Sequence, residues 1–165
     1  MAQKELVSTP EYEALPRTGY AKHYWRHTCH KWHVFRYCVM FAIRIVWRGF
    51  IHDYSKYLPS EAKGFAQSRD TTGYPYGHDY CRLSGKEIKE TIYLHKSRNP
   101  HHPEFHKNGV NDMDLVTFVE MACDWAAARR KNSDGSFVNS VDQNQTRYGL
   151  QNQTKDILKN TKMFS

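Results

Sequence analysis

The stretch Ile51-His52-Asp53-Tyr54-Ser55-Lys56 puts an imidazole, a carboxylate and an ammonium within six consecutive residues. In a helical turn Lys56 would stand at i+4 from His52 and i+3 from Asp53, so its charge would hang over whatever those two hold. Imidazole with carboxylate suits a mid-row divalent metal, and a lysine beside them suits an anionic ligand on that metal. The dipeptide alone also fits a helix end with a capping aspartate. A second His-Asp pair, His78-Asp79, sits in the Gly/Pro/Tyr-rich stretch 64–85, which reads as a loop and serves better as a lid than as a site.

Three further groups could complete a site. His95 closes a helical pattern beginning at Lys86, with Ile88 and Ile92 on its face, and Asn99-Pro100 stops that helix. His101-His102-Pro103-Glu104 follows, and in extended backbone the two histidines would point opposite ways, so only one of them is expected on a given ion. Asp124 lies in the small-residue stretch Met121-Ala122-Cys123-Asp124-Trp125-Ala126, where burying a carboxylate demands a cation, either an arginine or a metal. Upstream, His23, His27, His30, Val34, Cys38, Phe41 and Ile45 share a helical stripe that points toward an interior.

The elements that must carry these groups are helical. Residues 1–19 read as an N-terminal arm and 20–131 as a helical core. Residues 132–165 read as a C-terminal segment, with 132–147 polar and loop-rich before a last amphipathic helix from about Leu150 to Thr161. Asn111 or Asp112 is placed to cap the helix that runs to about Lys131. No strand pattern competes, and the expected fold is all-α in one domain. A chain of 165 residues with 39% hydrophobic and 14% aromatic content is globular, not disordered. Net charge +7 and a pI near 9.2 favour anionic partners. The four cysteines form no CxxC pair, which fits free buried thiols in a cytoplasmic protein. Arg36, Arg44 and Arg48 interrupt the most apolar segment, so no membrane span and no membrane partner is expected.

In order, His30, His52-Asp53, His95, His101 or His102, and Asp124 resemble the HD superfamily of metal-dependent phosphohydrolases. The run His52 to Lys56 looks like that family's HDxGK with serine in place of glycine. The match is similar to a small bacterial and phage branch. It is carried by His30-Lys31, His52 to Lys56, Asn99-Pro100-His101-His102-Pro103-Glu104 and Glu120-Met121-Ala122-Cys123-Asp124-Trp125, over roughly residues 20–130.

The resemblance implies an HD-type helical bundle holding one or two divalent ions (Mn, Fe, Co, Ni or Zn) on His30, His52, Asp53, His95, His101, His102 and Asp124. It implies hydrolysis of a phosphoester, in a nucleotide for preference, by metal-activated hydroxide, with Asp53 bridging the ions if there are two. Lys56 would neutralise charge on the phosphoryl oxygens, Arg98 and Asn99 would position that group, and Glu61 and Glu104 are candidates for acid/base work or for orienting a histidine. A straight helix would hold His30 about 33 Å from His52, so its participation requires a chain reversal near residues 37–43. Without that reversal the site falls back on the other ligands; His23, His27 and His33 are alternatives upstream. Two rival functions stand beside this one. The first is a di-iron oxygenase of the same superfamily. The second is a non-catalytic nucleic-acid module using Lys22, Tyr24, Trp25, Arg26, Lys31 and Trp32.

Overall fold

The computed structural model describes residues 17–72, 86–129 and 136–164, and every regular element among them is helical, as expected. The α-helices are α1 (Arg17–Phe50), α2 (Pro59–Thr72), α3 (Lys86–Arg98), α4 (Leu115–Arg129), α5 (Phe137–Tyr148) and α6 (Asn152–Asn160). Short 3-10 turns at Tyr54–Tyr57, Pro103–Phe105, Gly109–Asp112 and Lys162–Phe164 join or end them. None of the described helices is long and apolar enough to cross a membrane. The chain divides into two compact units, one ending at Ala42 and the other beginning at Ile43.

The only described element of the first unit is the N-terminal part of α1. His23, His27, His30, Val34 and Cys38 are all exposed there, contrary to the expected inward-facing stripe, because no other described element of that unit packs over them. The helix is also continuous through residues 37–43, which contain neither glycine nor proline, so the reversal that a His30 ligand needs is absent.

In the second unit Ala122, Phe137, Val141, Leu150, Leu158 and Phe164 form the apolar core, with Phe118, Trp125 and Ala126 packed at its edge. Residues 137–148 are helical, where a loop was expected. Phe137 and Val141, one turn apart, are both fully interior, and two anchors suffice on an otherwise polar helix. Gly149 ends α5 at φ 66°, a left-handed cap whose N–H donates to the Gln145 carbonyl at 2.9 Å.

Helix α2 likewise extends to Thr72 through a stretch read as loop. Gly64 marks a close helix approach instead: a Cβ there would lie 2.0 Å from Thr91 Oγ1 on α3. Residues 73–85, including His78-Asp79, lie outside the described residues. The cap of α4 is Asp114, whose Oδ1 accepts from the Thr117 N–H at 2.8 Å, and not Asn111 or Asp112; Asp112 accepts from Asn108 instead. Cys38 and Cys123 are exposed and Cys29 half-buried, so the described thiols are free but not buried; Cys81 lies outside the described residues.

Candidate metal centre

The His-Asp dipeptide sits where α1 gives out. The Ile51 N–H still reaches the Trp47 carbonyl, and the Tyr54 N–H then closes on the Ile51 carbonyl, both at 3.1 Å. Between them Asp53 adopts φ 55° and ψ 20°, alone among described non-glycine residues in having a positive φ. Aspartate tolerates the left-handed region better than most residues, yet the conformation still costs about 1 kcal/mol or more. It redirects the chain, so the expected helical turn becomes a 3-10 turn starting at Tyr54, and Lys56 Nζ folds back onto Asp53 Oδ2.

Around this corner six side chains from separate segments converge. Asp53 Oδ1 lies 3.3 Å from both His95 Nε2 and His101 Nε2, and Asp53 Oδ2 lies 3.4 Å from His52 Nε2. His52 Nε2 is 3.5 Å from Asp124 Oδ1, and His95 Nε2 is 3.1 Å from His102 Nε2. Two groups of ligand-type residues therefore have atoms within 4.8 Å of one another: Asp53, His95, His101 and His102, and His52, His101 and Asp124. They share His101 and form one continuous centre. Both members of the His101-His102 pair reach it, because a turn over Pro100 and His101 closes at His102, whose own backbone is extended. The His102 N–H closes on the Asn99 carbonyl at 3.0 Å, and the two rings lie 4.3 Å apart on the same side.

Carboxylates behind the rings set the direction of each lone pair. His95 Nδ1 meets Glu61 Oε2 at 2.9 Å with both side chains fully buried. Glu120 Oε1 faces His52 Nδ1 at 3.1 Å and His101 Nδ1 at 3.4 Å. A carboxylate only accepts, so these Nδ1 atoms carry the proton and the Nε2 lone pairs look into the centre. Arg48 Nε holds Glu120 at 2.6 Å, and the Ser55 hydroxyl donates to Glu61 at 2.8 Å. Ser55 thus fixes a carboxylate behind a histidine.

At the focus, Asp53 Oδ1 and His101 Nε2 are buried without a hydrogen-bond partner. Buried polar atoms in folded chains are nearly always satisfied, and acceptors facing one another are satisfied by a cation. The residues present therefore fit a metal ion, held on nitrogen and oxygen donors.

The electrostatics follow from this packing. Burial opposes charge on His52, but hydrogen bonds to Asp124 and Glu120 and the charge of Asp53 push its pKa up to about 10. Burial also works against ionised Asp53, yet His101, His95 and Lys56 hold it far below the usual carboxylate range. Glu120 is brought down to about 2 against its burial by His101, His52 and Arg48, and Asp124 is lowered against burial by His52. Burial, reinforced by His101 and His95, lowers His102 to about 3 and keeps its imidazole neutral.

Of the residues expected at the site, His52, Asp53, His95, His101, His102 and Asp124 come together with Lys56 beside them. Asp124 pairs with His52 and not with an arginine among the described residues. His30 is not brought in: it is exposed on the unbroken α1, as are His23, His27 and His33. Glu104 is engaged by Lys96 at 2.6 Å, Tyr148 Oη at 3.4 Å and Arg147 at 3.6 Å, so it neither orients a described histidine nor joins the ligand groups.

Arg98 reaches Ser60 Oγ and Glu61 Oε1, and the Asn99 amide donates to Ser55 Oγ and the His95 carbonyl. Both contact the groups behind His95, Arg98 through Glu61 and Asn99 through Ser55. Glu120 and Arg48 went unassigned in the sequence, though each stands four residues before a ligand: Glu120 before Asp124 on one face of α4, and Arg48 before His52, which lies just past the end of α1. A cavity of about 190 Å³, walled in part by Ile45, Gly49, Cys123 and Ala127, exposes the His52–Asp124 side.

Residues 19–163 match DUF5662, a family of unknown function, and the chain belongs to that family. No curated protein and no solved structure is matched by the chain.

Proposed function

We propose that this member of DUF5662 is a metal-dependent phosphohydrolase that cleaves a phosphoester, in a nucleotide for preference. The observation that supports this most directly is the pair of ligand groups, Asp53, His95, His101 and His102 with His52, His101 and Asp124, that share His101 around an Asp53 Oδ1 with no hydrogen-bond partner. A purely nitrogen and oxygen donor set suits a mid-row divalent ion. Such an ion, when bound, lowers the pKa of a coordinated water and polarises a phosphoryl oxygen.

The chain's own residues supply the rest. Asp53 turns Oδ1 toward His95 and His101 and Oδ2 toward His52, the disposition of a carboxylate that would link two ions. Lys56, resting on Asp53 and over the Phe65 ring at 5.5 Å, offsets negative charge gathered on a phosphoryl group. Glu61 and Glu120 keep the rings aimed. The cavity beside His52 and Asp124 admits a small ligand. Relative to the HD pattern the upstream histidine is missing, and His102 beside His95 is an added imidazole.

Elemental analysis of the purified protein, followed by a phosphate-release screen over nucleotides with manganese, cobalt, nickel and iron, tests the reading. Metal content lost in Asp53→Ala and Asp124→Ala, with Lys56→Ala keeping its metal but losing turnover, is the expected result. No bound metal and no phosphate release under any condition would sink it. Lys56 beside a bridging-type carboxylate also suits a di-iron oxygenase. Two irons with oxygen consumption and no phosphate release would select that chemistry. Nucleic-acid binding that survives both chelation and Asp53→Ala would select the non-catalytic module.

A further inference from the structure

Helix α1 carries a surface that the metal centre does not use. At 3.6 residues per turn, Tyr24, Trp25, Thr28, Trp32, Phe35 and Val39 fall within an arc of about 100°. The five apolar side chains of this stripe are between 37% and 70% exposed, and the Trp32 and Phe35 rings stack at 5.7 Å; Tyr20, Val34, Tyr37 and Met40 are exposed singly on the other faces, while both exposed tryptophans of the stretch lie in the stripe. Lys31 and Arg36 lie just outside the two edges of the arc, within about 20° of it, while Lys22 lies about 60° and Arg26 about 100° beyond its Trp25 edge. No aspartate or glutamate occurs anywhere in α1.

We infer that this stretch of α1 lies in the plane of an anionic membrane surface, with the aromatic stripe in the headgroup region and Lys31 and Arg36 on lipid phosphates. Tryptophan and tyrosine are residues of the membrane interface, and cations flanking an apolar arc are placed to reach headgroups. A second copy of α1 is a poor occupant, since pairing two helices that each hold cations and no acid leaves every charge unmatched. Single-stranded nucleic acid is disfavoured for a different reason. It needs stacking platforms and cations interleaved on one side, whereas Lys22 and Arg26 lie off the stripe. The expectation of no membrane partner rested on the missing span, and an interfacial helix needs none.

Flotation of the full chain with vesicles of phosphatidylcholine alone and of phosphatidylcholine with phosphatidylglycerol tests this, with tryptophan emission as a second readout. Binding to the mixed vesicles only, a blue shift of emission and weakening by salt are expected. The double variant Trp32→Ser/Phe35→Ser should abolish binding. Lys31→Gln and Arg36→Gln, exposed substitutions that leave the stripe intact, should each weaken it about fivefold. Circular dichroism checks that helicity is kept. No binding to either vesicle, or equal binding to both, overturns the inference. So does a Trp32- and Phe35-dependent dimer by sedimentation, or retention on single-stranded DNA, without vesicle binding.

Discussion

Replacing Glu120 by glutamine separates a centre built to hold metal from a histidine-rich interior. The Glu120 carboxylate, 4% exposed, takes Nδ1 protons from both His52 and His101 and is itself held by Arg48 at 2.6 Å. Glutamine keeps the volume but offers one acceptor oxygen and an NH₂ group that faces either Arg48 or an imidazole N–H with the wrong polarity. Removing one outer partner of a ligating histidine typically costs 10- to 100-fold in metal affinity.

Here a single carboxylate serves two rings, so the expected loss is the upper end, about 100-fold, or roughly 2.7 kcal/mol. Competition of the protein with a chromogenic chelator for zinc or cobalt measures it, with far-ultraviolet circular dichroism to show retained helix. Glu104→Gln is the control, since Glu104 binds Lys96 outside the ligand groups and should leave affinity within about twofold of the parent. Unchanged affinity in a folded Glu120→Gln protein would refute the claim that the Nε2 lone pairs are aimed from behind.

Gly64→Ala should destabilise the fold by about 1–3 kcal/mol, read as a lower melting temperature, because its Cβ meets Thr91 Oγ1 at 2.0 Å. Thr91→Ala in the same chain should restore only part of this, since Thr91 Cβ is itself 2.7 Å away. Asp114→Ala removes the α4 cap and should cost about 1 kcal/mol in chemical denaturation, with Asp114→Asn recovering most of it; equal loss in both would refute the capping role.

The chelator-treated protein should lose stability on both sides of neutrality. His52 is raised from 6.5 to about 10, so its contribution is full below 6.5 and is lost as pH rises toward 10. Glu120 is lowered from 4.5 to about 2, so its contribution is present above 4.5 and is lost as pH falls toward 2. A melting temperature flat between pH 6.5 and 10 would contradict the His52 assignment.

The all-α class was legible because helical periodicity and the Asn99-Pro100 stop are local signals, and α3 ends at Arg98 accordingly. The misread stretches fail for tertiary reasons. Gly64 looks like a loop residue until Thr91 is seen against it, and α5 looks like a loop because only Phe137 and Val141 anchor it. Asp114 outcompeted Asn111 and Asp112 as cap because Asp112 was already bound by Asn108. The ligand types were visible as spacing, but the left-handed Asp53 was not. That conformation is what brings Lys56 onto the carboxylate. His30 fell out because helix-compatible residues fill 37–43, leaving nothing to turn the chain.

The charge balance of the centre gives a reason for its composition. Asp53, Glu120 and Asp124 are all held ionised, while among the described residues the permanent cations in contact with them are two, Lys56 on Asp53 and Arg48 on Glu120. Glu61, fully buried, lies 3.6 Å from Arg98 and stands outside this count. Without an ion, the remaining negative charge is met by protonation of the imidazoles among these carboxylates, His52 between Asp53 and Asp124 and His101 between Asp53 and Glu120, both with a pKa that, against burial, these carboxylates raise. An apolar cluster of the same volume would be at least as stable, so stability alone does not account for burying these groups. A divalent ion held by these imidazoles would take the place of such protons and keep positive charge beside Asp53 and Asp124. Positive charge next to Lys56, reached through a small cavity, favours an anionic oxygen ligand over a neutral one. On the proposed phosphohydrolase reading, that preference is what would suit the centre to a phosphoester and not to a purely structural ion.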